Sequence, residues 1–153
     1  MYPVMLNLKG KAVLIVGGGN IAARKIRTLQ ATGAVITVIS PTLSAQIDLQ
    51  QINWVARAYH PSDLNHANLI FACTDDPTIN TAISQAVHAG QWVNNTGDKT
   101  QSDFYNMAVA KSGQVTVAIS TGGRAPKLAK RIRQLLLLWL IAQPWQRERS
   151  ERD

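Results

Sequence analysis

The chain has 153 residues, 46% of them apolar and 6% aromatic, with a formal charge of +7. That length supports one substantial core and a small second lobe. Its longest unbroken apolar run, Leu135 to Ala142, falls well short of the roughly 20 residues that span a bilayer, and no charged-apolar-small leader opens the chain, so a cytoplasmic protein without a membrane partner is expected.

The first element is the apolar run Ala12 to Val16, read as a strand, followed by Gly17-Gly18-Gly19-Asn20 and a helix-like pattern. Gly17, Gly19 and Ala22 fill the G-x-G-x-x-G/A template, in which small residues permit a tight turn, close approach of backbone to a pyrophosphate, and close helix-strand packing. Free N–H groups and the dipole at the start of such a helix hold phosphates. A second strand pattern, Val35 to Ile39, follows Gly33 and completes a strand-helix-strand unit. Its tip carries Ser40 and Pro41 in place of the acidic residue that receives the ribose of NAD; a neutral tip leaves NAD and NADP both open.

Ile52 to Ala58 is read as a short third strand and Leu69 to Cys73 as a fourth, ending in Thr74-Asp75-Asp76-Pro77. Cys73, the sole cysteine, excludes an internal disulfide and a multi-cysteine metal site, and in this apolar run it reads as a buried hydrophobe. His60, His66 and His88 lack ligand spacing and read as surface or cap residues, so no metal is expected. Thr78 to Ala89 has helical periodicity, closed by Gly90, and Trp92-Val93 begins a further strand leading to Asn94-Asn95-Thr96-Gly97-Asp98. Alternating strands and helices predict a Rossmann-like α/β domain over 1–110, with a parallel sheet and right-handed crossovers. Ligands then lie beyond the carboxyl ends of the strands, where Gly17 to Asn20, Thr74 to Asp76 and Asn94 to Asp98 share one rim.

The remainder, 111–153, is expected to form a short strand-helix segment for dimerisation and substrate binding. Gln114 to Ser120 reads as a strand, Thr121-Gly122-Gly123 as a break, and Lys127 to Gln143 as a helix stopped by Pro144, with a frayed tail from Gln146. Eight consecutive apolar residues wrap most of that helix, more than one surface helix hides, which points to a partner subunit. Nine Lys or Arg against three acids lie in this part, compared with seven against six in residues 1–110. Neither an aromatic ladder nor a helix-turn-helix pattern accompanies the basic cluster, so nucleic acid is not expected as a partner.

Taken in order, these motifs resemble the precorrin-2 dehydrogenase family, including the N-terminal part of siroheme synthase. The resemblance is carried by Tyr2-Pro3 with Leu6-Asn7-Leu8-Lys9-Gly10-Lys11, the glycine turn with Arg24-Lys25, Ser40-Pro41, Thr74-Asp75-Asp76 with Asn80, Val93-Asn94, Ser102-Asp103-Phe104, and Ala118 to Gly123 with Ala125-Pro126, Leu128-Ala129 and Ile132-Arg133. It implies NAD-dependent oxidation of precorrin-2 to sirohydrochlorin by a homodimer. It assigns the cofactor to Gly17, Gly19, Asn20, Ile21, Ser40, Thr74 and Asp75, and the substrate to Asn94, Ser120, Thr121 and Gly122. Arg124 and Lys127 are added on charge, because the macrocycle is ringed by carboxylates.

Three positions depart from the family pattern. Gly97 stands where an aspartate is usual, and Asp98, one residue later, is the candidate for its catalytic role. Met107 stands where proline is usual. The helical region is shorter than in members that insert iron, so ferrochelatase activity is not expected. The competing expectation is a homologue that binds a tetrapyrrole or dinucleotide without turnover, as a carrier or sensor.

Overall fold

A computed structural model of the chain describes residues 1–143, and the expected stop at Pro144 and the charged tail lie outside them. The described residues divide into two compact units, 1–105 and 106–143.

The first unit is a five-stranded parallel sheet in the order β3-β2-β1-β4-β5. Its strands are β1 (Ala12–Val16), β2 (Val35–Ile39), β3 (Asn53–Val55), β4 (Leu69–Ala72) and β5 (Trp92–Asn95). β1 lies at the centre, paired with β2 on one side and β4 on the other. That position demands an apolar side chain on both faces, so the strand reads as a continuous run, and Val13, Leu14, Ile15 and Val16 are all nearly inaccessible.

Alternation along the strands sends side chains into two cores. On one face, Val13, Ile15, Ile36, Val38 and Phe71 pack under Ala22, Ala23, Ile26 and Leu29 of helix α1 (Asn20–Leu29). On the other, Leu14, Val16, Ile39, Ile70 and Val93 meet Ile83 of helix α2 (Pro77–Ala86) and Leu64. Leu64 belongs to a 3-10 turn, Pro61–His66, that His60 caps by accepting from the N–H of Ser62.

The expected strands stand, with trimmed ends. The third is three residues long because the chain turns after Val55, where Arg57 N–H donates back to the Val55 carbonyl. Helix α2 ends at Ala86 rather than Ala89, since Val87 is already extended; Gly90, at φ +88°, belongs to the turn into β5 and does not cap the helix.

β5 is an edge strand, and the chain that follows it closes that edge. Asp103 N–H donates to the Val93 carbonyl and its carboxylate accepts from Val93 N–H, both at 2.8 Å. The Ser102 hydroxyl accepts from Asn95 N–H at 2.9 Å, and the Phe104 carbonyl accepts from the Asn94 amide at 2.9 Å. Phe104 sets its ring edge-on to Phe71, 5.4 Å between centres.

The second unit opens with a strand absent from the sequence reading. β6 (Ala108–Ser112) pairs antiparallel with β7 (Val115–Ile119) across the two-residue turn Gly113-Gln114. The expected strand-helix segment is thus a hairpin followed by helix α3 (Pro126–Ile141), with Ala110, Ala129 and Leu140 buried. No helix among the described residues is long and apolar enough to cross a membrane.

Candidate functional site

The sheet order reverses between β1 and β4, and the crevice at that point is where open α/β sheets take ligands. A cleft of about 520 Å³ opens there, within the usual range for a cofactor site. Its walls come from the turn after β1 (Val16 to Gly19), the loop after β2 (Ile39 to Ser44), Ala58 and Tyr59 after β3, and Cys73 to Asp75 with Ile79 after β4.

The glycine turn is shaped by contacts that no side chain survives. Gly17 lies at φ +111°, and a Cβ there would stand 2.5 Å from the Cys73 carbonyl oxygen. At Gly18 a Cβ would stand 2.1 Å from the Thr42 carbonyl oxygen and 2.8 Å from the Ser40 hydroxyl. The turn is therefore wedged between the ends of β4 and β2, and is held by Gly17 N–H donating to Ile39 and Ser44 N–H donating to Gly18. Gly19 differs: a Cβ there would meet no atom within 4 Å, so it would occupy the cleft itself.

Helix α1 starts at that point. Its first backbone bond runs from Ala23 N–H to the Gly19 carbonyl, and the N–H groups before it have no partner within the helix. No acidic residue lies in its first turn. Bare donors, the helix dipole and a vacancy in place of a Cβ together fit a pyrophosphate. Gly17, Gly19, Asn20, Ile21, Ser40, Thr74 and Asp75, the residues expected to hold the cofactor, all belong to these walls or to the exposed first turn of α1.

Thr74 is fixed by Asn80, a buried residue of α2. The Asn80 side-chain oxygen accepts from Thr74 N–H at 3.1 Å and from its hydroxyl at 2.8 Å, while its amide nitrogen donates to the Thr74 backbone carbonyl at 2.9 Å. Asp76 caps α2 by accepting from Thr78 N–H at 2.8 Å, and Asp75 beside it is exposed and lines the cleft.

Behind the cleft, Cys73 is 4% exposed and sits in the core under α1, as expected of a buried hydrophobe. Burial pushes its thiol up to about 11, although Lys25 pulls the other way. Lys25 reaches from α1 across the sheet: its ammonium lies 4.9 Å from the centre of the Phe71 ring and donates to the Asn94 side-chain oxygen at 3.0 Å. Burial holds the Lys25 pKa below the usual lysine value. The Asn94 amide, committed to Lys25 at one end and Phe104 at the other, is buried structure beneath the rim, not a side chain presented to the cleft.

On the β5 side, buried Asn95 shapes the loop, its oxygen accepting from Gly97 N–H and Asp98 N–H, each at 3.0 Å. Asp98 is partly exposed and caps the 3-10 turn Lys99–Gln101. Its carboxylate accepts from Thr100 N–H at 2.8 Å, the Thr100 hydroxyl at 2.7 Å and the Gln101 amide at 3.0 Å. These donors, Thr100 foremost, hold its pKa below the ordinary carboxylate range, which makes it anionic at neutral pH and a weak base. A Cβ on Gly97 would meet nothing closer than the Asn95 oxygen at 3.5 Å, so the aspartate of the resembled pattern has room there.

The remaining expected site residues belong to the second unit. Ser120, Thr121, Gly122, Arg124 and Lys127 form the loop between β7 and α3 and the first turn of α3. The Thr121 hydroxyl accepts from Ala125 N–H and the Ser120 hydroxyl from Gly122 N–H, both at 3.2 Å, and Arg124 and Lys127 are exposed. Among the described residues no cluster of three His, Cys, Asp or Glu side chains exists to hold a metal ion.

Two family models match in succession: residues 4–108 match a putative NAD(P)-binding family, and residues 113–137 match the central part of sirohaem biosynthesis proteins. Precorrin-2 dehydrogenase of Bacillus subtilis (strain 168) is 35% identical over 86% of this chain and 84% of its own length. The enzyme of the same name from Priestia megaterium is 37% identical over 88% of this chain and 68% of its own. Among solved structures, SirC, a precorrin-2 dehydrogenase, superposes with a TM-score of 0.80 at 36% identity, covering 89% of this chain and 69% of that one.

The geometry makes Gly18→Ala a direct test of the cleft. With a Cβ 2.1 Å from the Thr42 carbonyl, the turn and the loop after β2 must separate. Binding of NADH, followed by its fluorescence, is expected to be lost, while circular dichroism retains the α/β signal.

Proposed function

The chain belongs to the precorrin-2 dehydrogenase family, and from that premise we propose that it oxidises precorrin-2 to sirohydrochlorin with NAD, in siroheme biosynthesis. The observation that carries the reading is the open phosphate cradle at Gly19 and the start of α1, set at the switch point of the sheet.

NAD, when bound, supplies the hydride acceptor. The chain's part is to bind and orient. Gly17 lets the turn pass against Cys73, Gly19 admits the pyrophosphate to the backbone, and Asn20 and Ile21 bring the first N–H groups of α1. Ser40 is assigned to the ribose, and Thr74, steadied by Asn80, and Asp75 supply the cleft wall beside the glycine turn. Ser120, Thr121, Gly122, Arg124 and Lys127 are assigned to the macrocycle, whose carboxylates suit a basic loop. Asn94 supports the floor beneath the rim through Lys25 and Phe104.

Oxidation also releases a proton, and Asp98 is proposed to take it. Its three donors weaken it as a base, so it acts close to solvent and its removal is not fatal. The chain is further proposed to be a homodimer built through α3, on which Leu135, Leu138, Trp139 and Ile141 are each more than half exposed. The free Cys73 suits a reducing compartment, and the cytoplasm is proposed as its location.

Anaerobic incubation with precorrin-2, followed by absorbance with and without NAD, tests the reading: sirohydrochlorin and NADH are expected to appear together and only with NAD. Macrocycle binding without oxidation would favour a carrier or sensor. Asp98→Asn is expected to lower kcat by about tenfold, less than a well-placed base supplies, with NADH affinity unchanged. Gly97→Asp, for which there is room, is expected to fold and to raise turnover. Sedimentation velocity is expected to show a dimer at micromolar concentration, and Leu138→Glu to shift it to monomer.

A further inference from the structure

Lys25 is a half-buried cation inside the first unit, where a methionine would fill much the same space without the cost of desolvating an ammonium. What the ammonium adds is direction. Lysine carries three donors and no acceptor, so any amide it meets must turn its oxygen towards it. The Lys25 ammonium donates to the Asn94 side-chain oxygen at 3.0 Å and thereby dictates which end of that amide faces α1. The Asn94 nitrogen is left to donate to the Phe104 carbonyl at 2.9 Å. The Phe104 ring stands edge-on to Phe71 at 5.4 Å, and the same ammonium lies over the Phe71 ring at 4.9 Å. These contacts close a circuit from α1 through β4, β5 and the segment after β5, and back to α1.

The circuit holds the base of the loop that carries Asp98. That loop leaves the sheet at Asn95 and returns to it at Ser102, whose hydroxyl closes the neck. It accepts from Asn95 N–H at 2.9 Å and donates to the carbonyls of Asn95 at 3.2 Å and Asp98 at 3.3 Å. On the other side of the circuit, α1 starts at Asn20, about a turn and a half before Lys25, with the N–H groups that suit the cofactor phosphates. The phosphate cradle and the Asp98 loop are thus both referred to one helix. An apolar side chain at position 25 would keep the packing and lose that reference, because the Asn94 amide could turn over and the Phe104 carbonyl would lose its donor.

Resting on the reading of Asp98 as the proton acceptor, we propose that Lys25 is a positioning residue for the oxidation, which fixes the Asn94 amide and so ties the Asp98 loop to the helix that holds the cofactor. It acts through Asp98 and not through cofactor affinity.

Turnover of precorrin-2 at saturating NAD, together with equilibrium binding of NADH to the full chain, tests this. Because Lys25 acts through Asp98, its loss costs no more than the loss of Asp98 itself, and Lys25→Met is expected to lower kcat by up to about tenfold. NADH affinity is expected to stay within about twofold, since the phosphate cradle is untouched. Lys25→Arg keeps a cation that only donates, and its kcat is expected within about threefold of wild type. In an Asp98→Asn background, Lys25→Met is expected to cause no further fall, the non-additivity of two residues that work as one unit.

An unchanged kcat in Lys25→Met would overturn the proposal, as would a fall of the same factor with and without Asp98, or a loss of NADH affinity that matches the loss of kcat. If Lys25→Met does not fold, Lys25→Gln, which is polar but accepts as well as donates, carries the same comparison with the same expected result. Full turnover by Asp98→Asn alone would remove Asp98 from the reaction and this proposal with it. A fall in Asp98→Asn with none in Lys25→Met would sink the role of Lys25 and leave that of Asp98 standing.

Discussion

Everything at the rim depends on how closely the turn after β1 passes between the ends of its two neighbouring strands. Gly17 runs against the carbonyl of Cys73 and Gly18 against that of Thr42, both inside the distance that a side chain tolerates. This closeness lets one short turn join the ends of β2 and β4 around the central strand and still aim the start of α1 outward. The buried strands beneath supply a rigid seat: β1 is inaccessible over Val13 to Val16, so the turn cannot sink or tilt without opening both cores.

Above that seat, carboxamides organise the loops. Asn80 brackets Thr74 through three hydrogen bonds, Asn95 gathers the N–H groups of Gly97 and Asp98, and Asn94 bridges Lys25 and the Phe104 carbonyl. All three are buried, where an unmet amide is costly and a satisfied one specifies a single arrangement. The rim is thus polar in composition yet preorganised, as a site that must align two ring systems requires.

The sheet was legible in the sequence because its strands are buried on both faces and read as apolar runs bounded by turn residues; β1, β2 and β4 are plain in this sense. The dinucleotide turn was legible because close backbone approach demands glycine. β6 is not legible in the sequence because Ala108-Val109-Ala110-Lys111-Ser112 contains one β-branched residue and no strong alternation, and its pairing with β7 is what makes it a strand. The end of α2 is not legible because Gly90 has the form of a helix stop, whereas the chain leaves the helix at Val87. Side-chain partners are invisible to periodicity, whether two residues apart, as Asp98 and Thr100 are, or sixty-nine, as Lys25 and Asn94 are, so neither the inward turn of Asn94 nor the capping work of Asp98 is readable. An ion pair between Arg57 and Asp63 likewise spans six residues across a turn, and no helical or strand period brings such a pair together.

The segment Ser102 to Phe104 carries one further consequence. A parallel sheet of five strands has two open borders, and an open border is a template on which another chain can form a strand. One border is β3, only three residues long. The other is β5, where a serine hydroxyl, an aspartate carboxylate and that aspartate's own N–H satisfy the groups that a sixth strand would seek. Colloidal stability of the first unit is therefore tied to an unbroken chain past Gln101: a proteolytic nick that released this segment would uncover Val93 to Asn95 and turn the folded unit into a nucleus for intermolecular sheet.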